Sequence, residues 1–128
     1  MNGMEPVKSL VLVVDDEPGI LRFVKAALVS EGFDVVATGD GRKALDIANS
    51  GEPDIMVLDI YMEPMSGFDV LRELRTFSHL PVVAISARRE AAEMAMKEGA
   101  NGCVAKPFTP GELARKIRDV LDEIVDSD

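Results

Sequence analysis

Five short apolar runs recur along the chain, at Leu10–Val14, Phe33–Ala37, Asp54–Leu58, Pro81–Ile85 and Gly102–Ala105, and a stretch of helical period follows each. No other feature restricts the fold as strongly. The first, third and fourth runs are continuous in Val, Ile and Leu, which marks strands covered on both faces. Phe33–Ala37 is interrupted by Asp34 and belongs toward an edge. Between the runs, Ile20, Phe23, Val24, Ala27 and Leu28 take the i, i+3, i+4 spacing of one buried helix face. Ala44, Leu45 and Ala48 repeat that spacing, as do Phe68, Leu71 and Leu74. Leu113, Ile117, Val120, Leu121 and Ile124 form the cleanest stripe, and Arg89–Glu98 the weakest. Gly32, Gly51 and Gly99 stand where helices stop, and Pro18 and Pro110 where first turns begin. Strand and helix alternating five times implies right-handed crossovers onto a mostly parallel sheet with helices on both faces.

The length of 128 residues fits one domain, residues 1–128, with loose ends at Met1–Lys8 and Asp126–Asp128. With 47% hydrophobic and 29% charged residues, disorder and fibrous repeats are excluded. The net charge of −9 repels phosphate backbones and anionic lipid, so neither nucleic acid nor a membrane surface is an expected direct partner. A single cysteine, Cys103, permits no internal disulfide and suits a reducing cytoplasm. Leu10–Val14 is too short for a membrane span.

In an open parallel sheet, ligands bind beyond the carboxyl ends of the strands, where strand order reverses. The first run ends in Asp15-Asp16-Glu17, the third in Asp59, the fourth in Ser86 and the fifth in Lys106-Pro107. Each residue has an ordinary explanation by itself. Asp15, Asp16 and Ser86 could cap the helices that follow, and Lys106 could be loop surface. Four coincidences at four strand ends are a poor account of the set. Three carboxylates on one rim resist joint ionisation without a cation. With one histidine and one cysteine in the chain, the ligand set is all oxygen, which selects a hard divalent ion, most simply Mg²⁺. The ion and Lys106 together cancel the formal charge of the carboxylates. A rim neutral in this way can accept a phosphoryl group, with Ser86 donating a hydrogen bond to it.

These residues resemble the receiver domain of bacterial two-component response regulators, a CheY-like family. The resemblance rests on Val13-Val14-Asp15-Asp16-Glu17, Leu58-Asp59-Ile60, Met65-Ser66-Gly67, Ile85-Ser86-Ala87 and Lys106-Pro107-Phe108, and covers about residues 8–125. It implies a doubly wound α/β sandwich, (βα)5 and flavodoxin-like, whose parallel five-stranded sheet has the order 2-1-3-4-5. It implies that Asp59 takes a phosphoryl group from a histidine kinase or a phosphotransfer protein. Asp16, Asp59 and the backbone carbonyl of Tyr61 would hold Mg²⁺ directly, and Asp15 through a water. Lys106 and Ser86 would contact the phosphoryl oxygens, Ala87 would leave access open, and the Lys106-Pro107 bond would be cis. Tyr61 and Arg88 would flank the phosphoryl group. A phospho-accepting signalling domain of this kind, monomeric or dimerising on phosphorylation, is not itself expected to be an enzyme.

The chain departs from the family pattern at two places. Cys103 stands where an aromatic is usual, and Glu63 separates Met62 from Pro64 in the loop after Asp59. A metal-dependent phosphohydrolase of the haloacid-dehalogenase type is the alternative, but it needs Asp-x-Asp after the first strand, whereas Asp15 and Asp16 are adjacent. A second alternative is a receiver domain cut from a larger regulator or hybrid kinase. His79 reads as loop surface. Met56, Met62, Met65, Met94 and Met96 read as core or loop filling.

Overall fold

The computed structural model describes residues 8–126. The expectation of loose ends therefore falls almost wholly outside the described residues. Ten elements alternate without exception: β1 (Leu10–Val14), α1 (Pro18–Ser30), β2 (Asp34–Thr38), α2 (Gly41–Asn49), β3 (Ile55–Asp59), α3 (Gly67–Arg75), β4 (Val82–Ser86), α4 (Arg89–Lys97), β5 (Gly102–Ala105) and α5 (Pro110–Asp126). All strand pairs are parallel and the order is β2-β1-β3-β4-β5, so the chain reverses direction between β1 and β3. The interrupted second run is an edge strand, as its composition required. The second and third strands begin one residue later than their apolar runs, which makes Asp59 the last residue of β3 rather than the first beyond it.

Alternation along the central strands divides the core in two. Leu12, Val14, Met56, Leu58, Val82 and Ala84 face α2, α3 and α4, meeting Leu45, Val70, Leu71 and Leu74. Val11, Val13, Ile55, Val57, Val83 and Ile85 face α1 and α5, meeting Val24, Leu28, Leu113 and Ile117. Each such side chain contributes about 1.5–3 kcal/mol by leaving water.

Local chemistry sets the element ends. Pro18 and Pro110 open α1 and α5, and Gly32, Gly51 and Gly99 follow helices at positive φ. Asp40 caps α2 by accepting from the Arg42 and Lys43 amides, and Ser66 with Asp69 closes a capping box on α3. At the end of the sheet away from the carboxyl ends of the strands, Arg75 donates to the carbonyls of Gly99, Ser78 and Leu80 and to the Asn101 amide oxygen. That half-buried guanidinium ties the turn before β4 to the turn before β5.

Several side chains depart from the sequence reading. Phe23 and Ile124 stand on the apolar stripes of α1 and α5 but are exposed, because each stripe is wider than the sheet face it covers. Met56 and Met62 are core residues and Met65 packs on the core, whereas Met94 and Met96 are exposed on α4, which buries only Ala91 and Ala95. His79 lies exposed in the α3–β4 connection, as expected. Among the described residues, no helix is long and apolar enough to cross a membrane.

Candidate functional site

The parallel register brings the ends of β1, β3, β4 and β5 to one edge of the sheet. Val14 lies opposite Leu58, Asp59 opposite Ile85, and Ser86 opposite Ala105. One residue past β1, Asp15 is fully buried, and Asp59 at the end of β3 is 2% exposed. Asp16 faces solvent. Carboxylate oxygens of Asp15, Asp16 and Asp59 all lie within 4.8 Å of one another.

Lys106, just after β5, reaches into this cluster. Its Nζ is 3.3 Å from Asp15 Oδ2 and 3.4 Å from Asp59 Oδ1. Its backbone N–H donates to the Ser86 carbonyl, fixing the approach of β5 to β4. Among the described residues it is the cation paired with the cluster, so three carboxylates share one ammonium. Burial, helped by the charge of Asp15 and opposed by Lys106, pushes the Asp59 carboxyl up to about 6. Burial of Lys106 works against its charge, but Asp15 and Asp59 together outweigh it and hold the ammonium above its ordinary value.

The surrounding loops complete the cluster with main-chain groups. The Tyr61 N–H donates to Asp59 Oδ1 at 3.4 Å, and the Glu63 N–H donates to Asp16 Oδ2 at 3.2 Å. The second contact had no signal in the sequence, because a backbone amide can be supplied by any residue other than proline. The Glu17 N–H donates to Asp15 Oδ1, so Asp15 braces the turn before α1 without being its N-cap. Gly67 lies against the end of β3, where a Cβ would stand 2.3 Å from the Asp59 carbonyl oxygen. Both Glu63-Pro64 and Lys106-Pro107 are cis, the second as expected and the first unforeseen.

Ser86 is buried at the same edge, but its hydroxyl is engaged with Arg88. It accepts from the Arg88 N–H at 3.0 Å and donates to the Arg88 carbonyl at 3.2 Å. Neither Asp15, Asp16 nor Ser86 is the N-cap of the helix that follows; Glu17 and Arg88 take those places. Ala87 is exposed, leaving the site open on that side. The Arg88 guanidinium lies 5.9 Å from the Tyr61 ring centroid. Cys103 is partly buried and packs on the core shared by α2, α3 and α4.

Two clefts adjoin the cluster. One of about 400 Å³ is lined by Asp16, Glu17, Tyr61, Met62 and Glu63. The other, about 420 Å³, is lined by Ile20, Phe23, Ala87, Lys106, Pro107 and Phe108 and is largely apolar.

The model of the family described as the response regulator receiver domain matches residues 11–118. The chain belongs to that family. Among curated relatives, this receiver domain is 36% identical over 117 residues to the DNA-binding response regulator MtrA of Mycolicibacterium smegmatis, covering 90% of the chain and 51% of the relative. It is 38% identical over 120 residues to the probable transcriptional regulator ycf27 of Cyanophora paradoxa, covering 92% and 50%. The chain thus spans about half the length of the curated relatives it matches. Among solved structures, the receiver domain of the Francisella response regulator 1452 superposes with a TM-score of 0.84 at 29% identity, covering 91% of this chain and 99% of that one. The Vibrio cholerae chemotaxis protein CheY4 gives 0.82 at 28%, covering 89% and 99%. The CheY-like, flavodoxin-like fold and the function of a phosphorelay receiver follow. A haloacid-dehalogenase-type phosphohydrolase is not favoured.

Proposed function

We propose that Asp59 is the phosphoacceptor of this receiver domain, taking its phosphoryl group from a histidine kinase or a phosphotransfer protein. The observation that carries this reading is Lys106 Nζ set between Asp15 and Asp59, beside a third carboxylate, at the carboxyl edge of the sheet. With a carboxyl near 6, Asp59 is mostly ionised at neutral pH and attacks phosphorus without a separate base. The new O–P bond forms as the N–P bond of the phosphohistidine breaks, and its electron pair leaves on the imidazole nitrogen.

The three carboxylates fit a hard divalent cation, because two are buried and one ammonium does not balance them. Asp15, Asp16, Asp59 and the Tyr61 carbonyl would hold Mg²⁺, which when bound supplies charge neutralisation for the transferring oxygens. Lys106 neutralises a phosphoryl oxygen, Ser86 donates to another, and the small Ala87 leaves the approach clear. The apolar cleft beside Lys106 gives a protein donor a surface to seat on. The domain, within residues 1–128, acts as a cytoplasmic switch rather than as an enzyme with turnover. The acyl phosphate would change a surface read by a downstream protein, with the molecule monomeric or dimerising on phosphorylation.

Intact mass after incubation with acetyl phosphate and Mg²⁺ tests this. One phosphoryl adduct is expected, absent without Mg²⁺ and absent in Asp59→Asn. An adduct that persists in Asp59→Asn would move the acceptor elsewhere.

A further inference from the structure

Ser86, Arg88 and Tyr61 form a connected series from a buried hydroxyl to an exposed ring. The Ser86 hydroxyl both accepts from and donates to the Arg88 main chain. Arg88 in turn carries its guanidinium over the Tyr61 ring. The series joins the β4–α4 connection to the β3–α3 connection beside the acidic cluster. Arg88 is also the N-cap residue of α4, and no side chain caps that helix.

We propose that Ser86 is a latch whose bonds to Arg88 keep the Arg88–Tyr61 stack closed, and that turning its hydroxyl onto a phosphoryl oxygen at Asp59 opens the stack. The inference rests on the reading of Asp59 as phosphoacceptor. A serine hydroxyl has one proton, so it cannot donate to the Arg88 carbonyl and to a phosphoryl oxygen together. An ionised phosphoryl oxygen is the stronger acceptor. Rotation toward it also withdraws the oxygen that receives the Arg88 N–H. Both bonds that fix the Arg88 main chain are then lost in one rotamer change. An exposed cation–π contact is weak and fails once the cation leaves the ring face. Arg88 is a positioning residue in this scheme, acting on the site through Ser86.

The chain has one tyrosine and no tryptophan, so its emission reports Tyr61. Quenching of that emission by acrylamide would be compared in free and beryllofluoride-loaded protein with Mg²⁺. Intact mass after acetyl phosphate treatment would establish separately that each variant accepts at Asp59. In the wild type, loading is expected to increase quenching as the guanidinium leaves the ring. Ser86→Ala should be quenched to the loaded level before loading and change little after it, and Ser86→Thr, which keeps the hydroxyl, should restore the wild-type response. Arg88→Met should give the loaded level in both states.

Unchanged quenching in a wild type that forms the adduct would overturn the latch and leave the acceptor reading intact. A full response in Ser86→Ala would also overturn it, assigning the opening to direct attraction between Arg88 and the phosphoryl charge. Failure of the wild type to form an adduct at Asp59 would overturn the acceptor reading, and the latch with it.

Discussion

Held almost out of water beside the carboxylate of Asp15, Asp59 ionises only against burial and like charge, and Lys106 offsets part of that cost. Its rise from an ordinary 3.8 to about 6 corresponds to roughly 3 kcal/mol. The native state holds this proton more tightly than the unfolded chain. The stability it contributes is therefore complete below about pH 3.8 and is lost as the pH rises through about 6. In the presence of a chelator, Asp59→Asn should be more stable than wild type by about 2–3 kcal/mol at neutral pH, with the difference vanishing toward pH 4. Urea denaturation across that range measures it, and a constant or reversed difference would contradict the burial argument. Asp15 and Asp59 were legible in the sequence as strand-end carboxylates, but their separate environments were not. Asp16, next in the chain to Asp15, is exposed because successive residues leave the strand end in opposite directions.

The elements converge on the site through a few close approaches, of which Gly67 is the tightest. Opening α3 against the end of β3, it donates its N–H to the Ile60 carbonyl and leaves no room for a side chain. A Cβ there meets the Asp59 carbonyl oxygen at 2.3 Å and the Ile60 Cα at 2.6 Å, both main-chain atoms that cannot rotate away. Gly67→Ala should cost about 1–3 kcal/mol or more and weaken Mg²⁺ binding by moving Asp59. Denaturation and a Mg²⁺ titration of the same variant check both effects, and loss of stability with unchanged Mg²⁺ affinity would separate them. α4 illustrates the opposite regime. It buries two alanines and exposes two methionines, so less apolar contact holds it to the sheet than holds the other helices. Its weak apolar stripe was visible in the sequence. Which way Met94 and Met96 face was not, since with only small residues at the contact the helix phase is set by how closely alanine lets it approach.

For the molecule as a whole, a net charge of −9 with three carboxylates on one edge makes cation binding a stabilising linkage. Mg²⁺ at a hundredfold excess over its dissociation constant should contribute about 2.7 kcal/mol and raise Tm by about 8–10 °C. The same ionic strength from NaCl should do much less, and Asp15→Asn should abolish most of the Mg²⁺ effect. Equal shifts from both salts in a thermal melt would mean general screening rather than a site.

The division between sequence and tertiary structure follows the range of the forces involved. Local patterning determined the fold class: continuous apolar runs specify strands covered on both faces, and helical stripes between them specify the crossovers. The residue types at the strand ends determined the chemistry, since Asp, Asp, Ser and Lys carry their charges and protons wherever they are placed. Tertiary structure decided which of these groups meet. The parallel register sets Lys106 between Asp15 and Asp59, gives Asp59 its raised carboxyl, brings the Glu63 amide to Asp16, and leaves the Ser86 hydroxyl on Arg88. Desolvation and hydrogen-bond geometry depend on atoms up to ninety residues away in the chain, and no local pattern encodes them.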